Sequence, residues 1–151
     1  MMRGPIAYQH IACFIDESPA ARLGLDHASA LRALSGGRLS VVHVVPSPGY
    51  LVTLAASLGG GTLPDAGLER EAATMWLDEQ VRDRDGAEAV LLEGDPAREA
   101  CEWAADTGCD LMVVATHRGL VERSLLGSFA GHVAHNAPCP VLLVPPATDE
   151  N

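Results

Sequence analysis

The chain has 151 residues, enough for one domain and too short for two well-filled cores, so a single domain spanning residues 1–151 is expected. Apolar residues make up 48% and charged residues 20%, which excludes a disordered body, and aromatics at 4% leave the core to Ala, Leu and Val. Ten basic against twenty acidic side chains give a formal charge of -10, which argues against a nucleic-acid or anionic-membrane partner.

The opening MMRGPIAYQH lacks the apolar stretch of a signal peptide, and no run reaches the about 18 apolar residues of a membrane span, so a cytoplasmic location is expected. Residues 10–15, HIACFI, read as a strand. Asp16 to Pro19 then supply a cap residue and a proline suited to a first helical turn. The helix is expected over residues 19–34, with Leu23, Ala30, Leu31 and Leu34 as its apolar stripe and Gly36-Gly37 as its stop. A second strand, LSVVHVV at 39–45, is apolar almost throughout, as in parallel sheets covered on both faces. Residues 46–67 are rich in Gly and Pro and read as a long mobile connection with a helical turn near 51–58.

Leu68, Ala72, Met75, Trp76 and Val81 recur at helical spacing, which predicts a helix over 66–84. Residues 89–92 follow as a third strand, and Asp95-Pro96 opens a helix that packs through Ala97, Ala100, Cys101, Ala104 and Ala105 and stops at Gly108. DLMVVA at 110–115 is the fourth strand; Ala130, Val133, Ala134 and Ala137 mark a last helix, residues 140–144 a fifth strand, and 146–151 a frayed tail. Strand and helix alternate throughout, which predicts an α/β fold with an open parallel sheet and helices on both faces.

In such a sheet the ligand crevice lies beyond the carboxyl ends of the strands. Asp16, His43-Val44, Gly94-Asp95 and Thr116 to Gly119 all fall at that edge. Leu125 to Ser128 opens the last helix, where free amides, a glycine and a hydroxyl suit a phosphate. His43 reads as a satisfied core histidine, and His132 with His135 as solvated residues. The tryptophans and methionines read as packing residues, and Cys13, Cys101, Cys109 and Cys139 lack the spacing of a zinc site or disulfide framework.

The strand ending at Asp16 with Ser18 two residues on, LSVVHVVP, EGDPAREACEWAADTGCDLMVVATHR, LLGS and APCPVLLVPP follow one another in an order that resembles the universal stress proteins across residues 8–145. The resemblance implies a five-stranded Rossmann-like sheet in the order 3-2-1-4-5 and a homodimer formed along the last strand. It also implies a stress-response protein that binds ATP, with magnesium, or another adenine nucleotide. The nucleotide-contacting set it implies is Phe14, Asp16, Val44, Ala115, Thr116, His117, Arg118, Gly119, Gly127, Ser128 and Phe129.

Many members of that family carry G-x2-G-x9-G-[S/T] for the phosphates. Here Gly127 and Ser128 match, Ala115 replaces the first glycine, Arg118 stands at the second, and eight residues separate Arg118 from Gly127. Arg118 offers charge-assisted phosphate contacts, and Gly119 a flexible turn. With no GxxxxGK[ST], and with Asp95 assigned to capping so that Asp16 is the one crevice acid left for chemistry, hydrolysis is expected to be slow or absent, which describes a nucleotide-dependent switch. Two alternatives are the same fold acting through dimerisation and protein contacts without a nucleotide, and a slow nucleotide hydrolase.

Overall fold

A computed structural model describes residues 8–61, 65–116 and 127–147. Five strands, β1 (His10–Phe14), β2 (Arg38–Val45), β3 (Ala87–Glu93), β4 (Leu111–Ala115) and β5 (Val141–Val144), pair in parallel in the order β3-β2-β1-β4-β5. Between them run α1 (Pro19–Ser35), α2 (Pro48–Ser57), α3 (Ala66–Val81), α4 (Pro96–Thr107) and α5 (Gly127–Asn136). This is the sheet order implied by the family resemblance.

All five residues of β1 are buried because it lies mid-sheet with helices on both sides. Its two-residue period sends Ile11 and Cys13 to one face, against Ala21, Leu25 and Ala28 of α1 and Leu77 of α3. Ala12 and Phe14 go to the other, against Ala100, Cys101 and Ala104 of α4 and Ala130 and Val133 of α5. Small helix residues let the helix axes approach the sheet closely, as the scarcity of aromatics requires.

Two expected helix faces are corrected. The buried residues of α1 are Ala21, Gly24, Leu25 and Ala28, while Leu34 is 85% exposed and Leu23 and Leu31 flank the core. On α3 the buried residues are Ala73 and Leu77; Leu68 is exposed and so is Met75, at 69%, which removes Met75 from the packing residues. Each face is rotated by about one residue, since an apolar side chain beside the stripe fits the period nearly as well as one on it. Ala105 and Ala134 are likewise exposed. Helix α4 otherwise packs as expected, and Gly36 and Gly108 close α1 and α4.

The connection at 46–67 holds more structure than a single turn: α2 runs for ten residues, with the Ser47 side chain accepting from Tyr50 N at 3.1 Å. Asp65 caps α3 through the amides of Gly67 and Leu68. Asp95, by contrast, stands at the α4 N-cap without a side-chain bond to an amide. Among the described residues, no helix is long and apolar enough to cross a membrane.

Candidate functional site

The register of the sheet builds a notch at its carboxyl edge. Phe14, the last residue of β1, lies level with Val42 of β2 and Val114 of β4, while β2 continues to Val45 and β4 to Ala115. The chain leaving β1 drops into this gap: Ile15 N donates to Val42 O at 2.9 Å, and Asp16 follows at the rim. Because β1 has neighbours reached by opposite crossovers, this is the point where the strand order reverses.

A hollow of about 400 Å³ opens there, within the usual size range of small-molecule sites. Its walls come from β1 (Phe14), β2 (Val42, His43, Val44), the start of α4 (Pro96), β4 (Val114, Ala115) and the start of α5 (Gly127, Ser128, Phe129, Ala130), with Ile15, Asp16 and Ala21 at one side. Most of this surface is apolar. Phe14 and Phe129 stand with ring centres 6.3 Å apart and planes tilted by 51°, giving one wall an aromatic character suited to a flat heterocycle.

Polar groups sit at the margins. Asp16 Oδ1 accepts from Ser18 N at 2.9 Å and from the Ser18 hydroxyl, so its carboxylate is oriented by the turn into α1. The capping residue of α1 is Ser18, and it spends its hydroxyl on Asp16 instead of on a helix amide. Among the described residues lining the hollow, Asp16 is the one carboxylate.

His43 Nδ1 lies 2.7 Å from the Ile15 carbonyl oxygen, which can only accept, so Nδ1 carries the proton. The ring meets Trp76 edge-on at 5.0 Å. It is satisfied, as its strand position led one to expect, yet it also forms part of the wall.

Also on the wall, α5 opens at Gly127 with φ +70°, a backbone conformation that side chains with a Cβ rarely adopt. Among the described residues, no atom lies within 4 Å of a Cβ built there, so the conformation is what calls for glycine. First-turn amides of a helix have no partner within it, and the exposed Ser128 adds a hydroxyl beside them.

A family model described as the universal stress protein family matches residues 7–145. The chain belongs to that family. A universal stress protein of Thermus aquaticus is 34% identical over 138 residues, 80% of this chain and 92% of its own. For the universal stress protein of Methanothermobacter thermautotrophicus the match is 45% over 56 residues and spans 37% of this chain and 38% of the relative. Of the solved structures, a universal stress protein in complex with cAMP is 24% identical and covers 92% of this chain and 98% of its own, with a TM-score of 0.63. The Archaeoglobus fulgidus universal stress protein in complex with dAMP is 22% identical, covers 92% and 99%, and has a TM-score of 0.66. At these identities the structural likeness carries the fold.

In this universal stress protein domain the hollow brings together seven of the expected contact residues: Phe14, Asp16, Val44, Ala115, Gly127, Ser128 and Phe129. Thr116 stands apart. It is buried, its amide donates to Val144 O at 2.8 Å and its hydroxyl to the same oxygen at 3.4 Å, and it is not on the wall. His117, Arg118 and Gly119 lie outside the described residues.

Ala115 resolves one question of the variant motif. It is the last residue of β4, paired with Val144, and no non-glycine residue among those described has positive φ. The substitution for glycine therefore costs no backbone strain. Its methyl is turned toward α1, where a Cβ built on Gly24 would lie 3.5 Å from it.

His43 and Pro96 were not expected on the wall. Their position at the carboxyl edge was readable, since His43 precedes Val44 and Pro96 follows Asp95; that they turn toward the hollow depends on tertiary packing.

Proposed function

We propose that this chain binds an adenine nucleotide in the hollow above β1, and that it works as a nucleotide-dependent switch in the stress response. The observation that carries this reading is the hollow itself: an apolar slot beside Phe14 and Phe129, with Asp16 and Gly127-Ser128 also on its wall. The base fits the apolar walls, the Asp16 carboxylate accepts from ribose hydroxyls, and the phosphates meet the amides that open α5. Relatives solved with cAMP and dAMP support the nucleotide class.

The finer reading is ATP, held by a homodimer paired along β5. Among the described residues no group of three metal-binding side chains occurs, so magnesium in this proposal arrives on the nucleotide phosphates. Turnover is expected to be slow, because the wall offers one carboxylate and the Nδ1 proton of His43 is committed to Ile15.

Calorimetric titration with ATP, ADP, AMP and cAMP tests the reading, beside analysis of small molecules released from the purified protein by heat. At least one adenine nucleotide should bind, and Asp16→Ala should weaken it about tenfold, the effect of losing a charge-assisted hydrogen bond. If no adenine nucleotide binds and none is released, the proposal fails.

A further inference from the structure

None of the ten residues of α2, PGYLVTLAAS, is buried, and the helix packs extensively against no other described element. Tyr50, Leu54 and Leu58 follow one another at four-residue intervals and form one exposed stripe, with Leu58 at 76% exposure, while Val52, 53% exposed, lies on the other face of the helix. Its two aliphatic hydroxyls are satisfied within it: Thr53 Oγ1 donates to Gly49 O at 3.0 Å and Ser57 Oγ to Thr53 O at 2.9 Å. From Pro46 to Pro64 there is no Asp, Glu, Lys, Arg or His, in a chain of formal charge -10. A helix this short without tertiary partners is marginal in water, and a continuous exposed apolar strip marks a surface that something covers.

We infer that the α2 stripe is a docking face for a second copy of this chain, the two helices packing antiparallel about a twofold axis. Charge selects the partner. Two copies that are each strongly acidic repel over most of their surfaces and meet at least Coulomb cost on an uncharged face. A twofold contact also requires a surface complementary to itself, which a neutral apolar stripe is, because it sets no like charges opposite one another. The same residues argue against a lipid surface, since a helix lying in a membrane interface carries Lys or Arg on its polar face and α2 has neither.

This face follows β2, on the opposite side of β1 from the edge strand β5, so its pairing adds to any association through β5. Two ten-residue helices cover less than the roughly 1,200 Å² of a stable interface, so the contact is reversible and concentration-dependent. Salt, by screening the repulsion, strengthens it.

Sedimentation equilibrium of the full chain over a concentration series, at low and high salt, tests this. The wild type should show a mass step that grows with concentration and with salt. Leu54→Gln combined with Leu58→Gln should weaken that step about tenfold with no charge added, as truncation at an interface centre does. Both residues are exposed, so the thermal midpoint and circular dichroism of the variant should match the wild type. A cysteine placed by Ala55→Cys should cross-link two copies under glutathione disulfide in the wild-type background and not beside the glutamine pair. An identical mass profile for wild type and variant overturns the inference. So does a wild type that stays at one mass while binding phosphatidylcholine vesicles through α2.

Discussion

Ala115 shows how a residue can depart from a family motif without losing what the motif supplies. It ends a strand in ordinary extended backbone, so the glycine usual at this position is not required for conformation, and its methyl is turned toward α1. Ala115→Gly should therefore leave nucleotide affinity within about threefold and lower stability by about 0.5–1 kcal/mol, the usual cost of glycine within a strand. Calorimetric titration and thermal unfolding of the same variant read both. The thiols make a second case. Burial pushes the Cys13 and Cys109 thiols up to about 12, and it raises Cys101 and Cys139 as well. Iodoacetamide at pH 8 should leave Cys13 and Cys109 unmodified in the folded chain, with the half-buried Cys139 reacting first and all four reacting in denaturant. Mass spectrometry of the alkylated chain counts them.

At the scale of elements, helix position was legible and helix orientation was not. Pro19, Pro96, Gly36 and Gly108 bracket α1 and α4 by local chemistry alone, because proline presets φ and removes an amide the first turn leaves unpaired. Which stripe of α1 faces the sheet depends on neighbours that periodicity does not contain. The choice fell on Leu25, fully buried beside Ala21 and Ala28, and left Leu34 in solvent. Leu25→Ala should cost about 2–5 kcal/mol, since it opens a cavity between α1 and the sheet, whereas Leu34→Ala should change stability by less than about 0.5 kcal/mol. Urea unfolding separates the two, and equal effects would mean that α1 packs on its other face. Helix α2 shows the opposite failure of pattern: Gly and Pro around it announced a long connection with one helical turn, yet it runs for ten residues, among them the good helix formers Leu and Ala.

Across the whole molecule the two ends of the sheet are built differently. The carboxyl edge opens into the hollow, while the amino edge carries a polar network whose centre, His10 and Ser40, is buried and whose ends, Arg38 and Glu88, reach solvent. His10 is buried, and Arg38 donates to its Nδ1 across 3.1 Å, so Nε2 carries the proton and donates to Ser40 Oγ at 2.8 Å, whose hydroxyl donates to Glu88 at 2.8 Å. Trp103 of α4 covers the ring edge-on at 5.7 Å. Burial first, and then the Arg38 charge, hold the imidazole below its ordinary 6.5, while Glu88, the Thr107 backbone and Asp110 pull the other way. With the folded value below the unfolded one, acidification loads a proton onto the unfolded chain first. Stability is therefore full above about pH 6.5 and declines as pH falls toward the folded value. The thermal midpoint should drop between pH 7.5 and 5.5, and His10→Asn should flatten that slope; a variant with the wild-type slope would show that His10 does not set it.

The order of elements, the parallel sheet and the residues at its carboxyl edge were determined by the sequence, because alternation, caps and strand composition are properties of neighbours along the chain. The hollow was decided only in three dimensions. Phe14, Val44, Ala115 and Phe129 come from four elements and close one space because β1 stops short between β2 and β4. That register, like the rotation of α1 and α3, is fixed by which side chains bury most area together, a sum over contacts between residues far apart in the chain.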